Sequence, residues 1–124
     1  MSLLLDTHAL LWWLGDEPMA EAAKDRIADP DVLVAVSAAS VWEIGIKRTL
    51  GKLRLEGSIA AHVRESGFEP LAISWGHAER AGALPPHHQD PFDRMLIAQA
   101  QVEALRIVTR DNRFEAYDVD VLSC

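Results

Sequence analysis

The sequence predicts an α/β fold, a three-layer α/β/α sandwich around a central parallel sheet, on three observations. Short runs rich in Leu, Val and Ile alternate with longer stretches of helical pattern. Those runs are apolar on both faces, as strands covered by helices on each side must be. The 124 residues, 49% of them hydrophobic, are also enough for one domain whose core needs no disulfide or structural metal. Residues 1–124 are therefore read as a single domain, without internal repeat, linker or low-complexity stretch.

Taken in order, Leu3–Leu5 is a brief buried strand and Ala9–Leu14 an apolar helix. A second helix spans Ala20–Ala28 and stops at the Asp29-Pro30-Asp31 turn. Val32–Val36 is a strand rich in β-branched residues, and Val41–Leu50 a helix closed by Gly51. After Gly57-Ser58 come a helix at Ile59–Glu65, a strand at Phe68–Ile73 and a short helix at Gly76–Ala83. Leu84–Asp90, with two prolines and two histidines, is a loop. Phe92–Leu105 carries the clearest helical pattern, Arg106–Thr109 is a strand and Val119–Leu122 a weaker one.

No run approaches the roughly 20 apolar residues of a membrane span. The start lacks the basic region of a signal peptide, and the lone Cys124 has no partner in the chain, which fits a reducing compartment. The expectation is a soluble, cytoplasmic protein with no membrane association. The net charge of −7 argues against coating nucleic acid non-specifically with Lys and Arg. It does not exclude an enzyme acting on nucleic acid, because carboxylates loaded with divalent cations are locally far less negative. It predicts weak substrate affinity, or a partner that supplies positive charge.

In open parallel sheets, ligands bind outside the carboxyl ends of the strands. Four acids map there: Asp6 after the first strand, Glu43 opening the helix after the second, Asp93 opening the Phe92 helix, and Asp111 after the Arg106–Thr109 strand. Each also has a purely structural explanation. Ser40 to Glu43 is a capping-box pattern. Asp90-Pro91-Phe92-Asp93 supplies an N-cap, a Pro at N1 and an acid favoured by the helix dipole. Asp6 and Asp111 suit turns or caps. The conjunction favours function, and so does the helical wheel. Asp93 shares its face with Leu96, Ile97 and Ala100, whereas the solvent face carries Arg94 and Gln101.

Burying a carboxylate is costly unless it is paired or binds a metal. Two carboxylates about 5 Å apart repel by about 3 kcal/mol at an effective dielectric near 20. Four in one pocket cannot all stay ionised without counter-charge, and no obvious basic residue is placed beside each acid to provide it. All-oxygen ligands suit hard cations, so the expected cofactor is Mg2+ or Mn2+. Such a centre activates water and stabilises charge on a phosphoryl group during hydrolysis.

Four segments, LLLDTHALLWWL, SAASVWEIGIKRTLGKL, HHQDPFDRMLIAQA and IVTRDNRFEAY, together resemble PIN-domain proteins over essentially the whole chain. Within that group the chain is most similar to the VapC-type toxins of prokaryotic toxin–antitoxin pairs. The resemblance implies a metal-dependent endoribonuclease, held inactive by a cognate antitoxin and expected as a homodimer. It implies that Asp6, Glu43, Asp93 and Asp111 form the catalytic acidic quartet and hold one or two metals. Asp6 and Asp93 would be direct ligands, with Asp111 and Glu43 acting partly through water. Hydrolysis of RNA would leave a 5′-phosphate and a 3′-hydroxyl.

Other polar residues near these segments have two readings each. Thr7 orients a ligand or caps a helix, and Asn112 is similarly ambiguous. Asp90 is an N-cap. His8 is undecided, and His87 and His88 are read as solvated loop residues, with metal binding as the alternative. Lys47 pairs with Glu43 at i,i+4 or, with Arg48, Lys52 and Arg54, meets phosphate, as Arg94, Arg110 and Arg113 could. Trp12 and Trp13 lie on a helix apolar nearly all round, which needs burial or a covering partner. The alternative function is a non-catalytic metal- or protein-binding module of receiver-like type. Receivers pair acids after the first strand and place a Lys after a late one, whereas Asp6 stands alone and no Lys follows Lys52. A haloacid-dehalogenase-type phosphatase would need an acid where His8 stands.

Overall fold

The computed structural model describes residues 2–124. Among them, five parallel strands form one sheet in the order β3-β2-β1-β4-β5: β1 (Leu3–Leu5), β2 (Val34–Ser37), β3 (Glu69–Leu71), β4 (Arg106–Thr109) and β5 (Val121–Ser123). They are joined by α1 (Thr7–Leu14), α2 (Glu21–Ala28), α3 (Ala38–Thr49), α4 (Ile59–Glu65), α5 (Trp75–Ala83) and α6 (Pro91–Glu103), and a 3-10 turn at Asn112–Ala116. The three-layer parallel architecture matches the sequence expectation.

Side chains alternate across each strand, and the alternation sorts the core into two halves. Leu3, Leu5, Val36 and Val108 pack against α1–α4 through Leu10, Ile27, Ile44 and Val63. Leu4, Ala35 and Ile107 face the other way, onto Leu96, Ile97 and Ala100 of α6 and onto Phe114. None of the described helices is long and apolar enough to cross a membrane.

The main shift from expectation lies at α3. β2 starts two residues later than expected and runs on to Ser37, whose side chain accepts from the Ala39 amide as the N-cap. The helix thus begins at Ala38 rather than Val41. The Ser40–Glu43 capping box does not form, because Ser40 is already inside the helix and Glu43 lies in its second turn. α1 starts at Thr7 instead of Ala9, capped by Asp6. β3 shrinks to Glu69–Leu71, an edge strand that tolerates Pro70. α6 ends at Glu103, where Ala104 takes a left-handed C-cap (φ 54°). Trp12 and Trp13 are partly buried against the first core half, Trp13 reaching Phe68 (ring centroids 6.0 Å apart).

Candidate active site: four carboxylates at the strand ends

β1 lies between β2 and β4, so the chain winds to one side of β1 first and to the other side later. The carboxyl ends of β1 and β4 therefore flank a topological switch point, where such sheets form their ligand crevice. Asp6 leaves β1 and Asp111 leaves β4, each followed by a helical turn that it caps. Asp93 sits in the first turn of α6, over the buried Leu96, Ile97 and Ala100 as its wheel predicts. Glu43 points in from α3.

Asp6 is 4% exposed. Its Oδ1 accepts from the Ala9 amide (2.7 Å) and its Oδ2 from the Thr109 hydroxyl (2.5 Å). Burial raises its pKa, against the lowering effect of those two hydrogen bonds. Asp93 is pushed up to about 7, first by burial and then by the negative charge of Asp90, Asp6, Glu43 and Asp111. That mutual effect places the four acids in one electrostatic neighbourhood. Asp111 is held down at about 2 by Arg113, whose guanidinium donates to both of its oxygens (2.7–3.0 Å). Glu43 is buried, with Oε1 accepting from Thr7 (2.6 Å) and Oε2 facing Lys47 (2.9 Å).

Basic partners thus do stand beside two acids: Lys47 pairs with Glu43 at i,i+4, one of its two sequence readings, and Arg113 with Asp111 two residues earlier. Asp6 and Asp93 have no Lys or Arg partner among the described residues. One buried and one half-buried acid, both without a Lys or Arg partner and raised in pKa, form a donor set that fits a hard divalent cation.

The flanking residues divide. Thr7, on α1, orients Glu43 and lies 3.1 Å from Ser40 Oγ. Lys47 makes the helical pair with Glu43. Arg94 does not point to solvent. Its guanidinium donates to the carbonyls of Ala81, Leu84, Pro85 and His88 (2.8–3.2 Å) and pins the loop between α5 and α6. Arg110 turns away, donating to the Pro18 and Cys124 carbonyls and lying over the Trp12 ring (3.9 Å). Arg48 donates to the Leu55 and Gly57 carbonyls, which dissolves much of the supposed basic patch. Asn112 and His87 are exposed, and Asp90 caps α6. His88 contradicts its reading as a solvated residue. It is buried, with Nε2 2.9 Å from Asp93 Oδ2 and 3.4 Å from Asp111 Oδ2.

Sequence reasoning missed Thr109. Its hydroxyl donates to Asp6 and accepts from the Asp111 amide (3.0 Å), coupling the ends of β1 and β4. A hydroxyl at the end of a buried strand, two residues before a candidate acid, was the available signal. Thr109→Val is expected to weaken Mn2+ affinity about 10- to 100-fold, the usual cost of losing a group that orients a metal ligand, as read by calorimetric titration. Arg94→Met should leave four carbonyls short of a donor and lower stability by about 3 kcal/mol, measured by urea unfolding.

Residues 3–120 match the family model of the PIN domain. The chain belongs to the PIN-domain family. It is 32% identical to Ribonuclease VapC22 of Mycobacterium tuberculosis over 94% of this chain and 92% of that protein. Its fold is similar to that of VapBC2 from Rickettsia felis bound to a promoter DNA fragment (TM-score 0.75, 15% identity, 99% and 98% of the two chains). It is also similar to a toxin–antitoxin complex from Klebsiella pneumoniae (TM-score 0.67, 24% identity, 97% and 95%).

Proposed function

We propose that this chain is a divalent-metal-dependent endoribonuclease acting as the toxin of a toxin–antitoxin pair. The observation that carries the reading is the convergence of Asp6, Glu43, Asp93 and Asp111 at the switch point, with Asp6 buried, Asp93 half-buried and both raised in pKa. The 32% identity to a named ribonuclease over nearly the full length supplies the substrate class.

Asp6 and Asp93 would hold Mg2+ or Mn2+, and Asp111 and Glu43 would complete the site. When bound, the cation activates water and offsets charge developing on the phosphate. Thr109 fixes the Asp6 carboxylate through Oδ2 while the Ala9 amide fixes Oδ1, so that acid is aimed before any cation arrives. Thr7 does the same for Glu43. Arg113, exposed and bound to Asp111, is the cation best placed to meet an RNA phosphate beside the acids. Arg94 and Arg110, with their donors on backbone carbonyls, serve the scaffold instead.

Protein partners follow from two features. The acidic rim favours an antitoxin that supplies positive charge. On α3, Trp42, Ile46 and the following Leu50 are exposed at i, i+4 and i+8, an apolar stripe suited to a second copy of the chain. Ile46→Glu is expected to convert a dimer to monomer in sedimentation velocity.

The test is cleavage of a mixed panel of structured RNAs by antitoxin-free protein, with Mg2+ or Mn2+ against EDTA. Metal-dependent cutting at defined positions supports the reading. Intact RNA throughout, from protein shown to bind the metal, would overturn it.

A further inference from the structure

His88 lies on the loop just before α6, and its imidazole is fully buried. Four direct contacts, and one made through Tyr117, fix it. Its amide donates to the Tyr117 hydroxyl (2.8 Å), which itself donates to the Pro85 carbonyl (2.6 Å). Its carbonyl accepts from Arg94 (3.2 Å), and its ring stands edge-on to Phe114 (centroids 5.7 Å apart). The fifth contact decides its chemistry. Nδ1 accepts from the Asp90 amide (3.2 Å), so Nδ1 carries a lone pair and the ring proton resides on Nε2. Nε2 lies 2.9 Å from Asp93 Oδ2 and 3.4 Å from Asp111 Oδ2 and makes a hydrogen bond to neither.

The ligand atoms of His88, Asp93 and Asp111 all lie within 4.8 Å of one another, a grouping that could be taken for a His-Asp-Asp metal site. The tautomer argues otherwise. A nitrogen bearing a proton has no lone pair for a cation, and moving that proton to Nδ1 would set it against the Asp90 N–H.

We propose that His88 is a positioning residue, its Nε2–H set between the Asp93 and Asp111 carboxylates and attracting both so that α6 and the β4 terminus present their acids together, and that it is not itself a metal ligand. The proposal rests on the metal-centre reading above. It gives Asp90 a second role: the residue that caps α6 through its carboxylate also sets the His88 tautomer through its amide.

The experiment is Mn2+ binding to the full chain, by calorimetry and by pulsed electron paramagnetic resonance, for wild type, His88→Gln and His88→Asn. Gln carries an amide N–H to about the place of Nε2, whereas Asn stops near Nδ1. We expect Gln to bind within about 3-fold of wild type and Asn about 10- to 100-fold more weakly. The wild-type spectrum should show no directly coordinated 14N. A coordinated 14N signal that His88→Gln removes would overturn the proposal in favour of ligation. Equal affinity for Asn and wild type, or equal loss in Gln and Asn, would overturn it as well. Absence of Mn2+ binding by wild type would sink the metal-centre reading itself. Melting in EDTA serves as the folding control, and should either variant fail to fold, the wild-type nitrogen signal alone still decides ligation.

Discussion

Replacing Asp93 by Asn is expected to abolish RNA cleavage while leaving the metal-free fold at least as stable as before. Asn keeps the shape of the side chain at the start of α6 but removes a charge that burial and the neighbouring carboxylates oppose. Loss of groups that merely orient a metal ligand costs about 10- to 100-fold, so loss of a direct ligand should cost more, on the order of 1000-fold in activity. Relief of carboxylate repulsion acts in the opposite direction on stability. One pair about 5 Å apart repels by about 3 kcal/mol at an effective dielectric near 20. The variant should therefore melt a few degrees higher than wild type in EDTA at pH 8, and gain nothing from Mn2+. Cleavage at the wild-type rate by the variant would remove Asp93 from the centre. A marked fall in its EDTA melting temperature would show that the charge is compensated by groups the electrostatic account leaves out.

The second large effect is a fall in stability of the metal-free protein as pH rises. Asp93 is pushed up to about 7 in the folded protein from the ordinary carboxyl value of 3.8. Between those values the folded state binds a proton that the unfolded state does not, so stability declines as pH increases through that window. Asp6 is shifted in the same direction by burial. Asp111, held at about 2, contributes stability that is present above about pH 4 and lost below it, so it does not offset the loss. The expected decline from pH 5 to pH 8 is roughly 2–4 kcal/mol for the Asp93 shift, read from urea unfolding in EDTA. Mn2+ must displace that proton, so its stabilisation should grow with pH and restore the pH 8 protein. Stability in EDTA that is flat or rising over this range would contradict the assignment of Asp93 as a half-buried acid without a Lys or Arg partner.

The parts of this account legible in sequence are those written in local pattern. Leu3–Leu5, Ile59–Glu65 and Arg106–Thr109 were readable to the residue because apolar runs end at clear polar or turn signals. The four acids were readable because strand ends and helix starts fall where the parallel-sheet rule places a crevice. What failed depended on competition or on distant contacts. Ser37 and Ser40 are both good N-caps three residues apart, and the extent of β2 pairing with β3 decides for Ser37. Arg94 looked solvent-facing because the carbonyls that claim it come from Ala81 to His88 and turn inward only in three dimensions. His88 looked solvated because its cover is Phe114 and Tyr117, far along the chain. Thr109 acquires its role only when β4 pairs with β1 and brings it to Asp6.

The most direct test of the central claim is the anomalous scattering of Mn2+ in crystals grown with the metal at pH 8. The account predicts a peak in ligand contact, about 2.0–2.4 Å, with oxygens of Asp6 and Asp93 and with no bond to His88 Nε2. An ordered ion elsewhere on the surface, or no ion at this site despite saturating Mn2+, would contradict it.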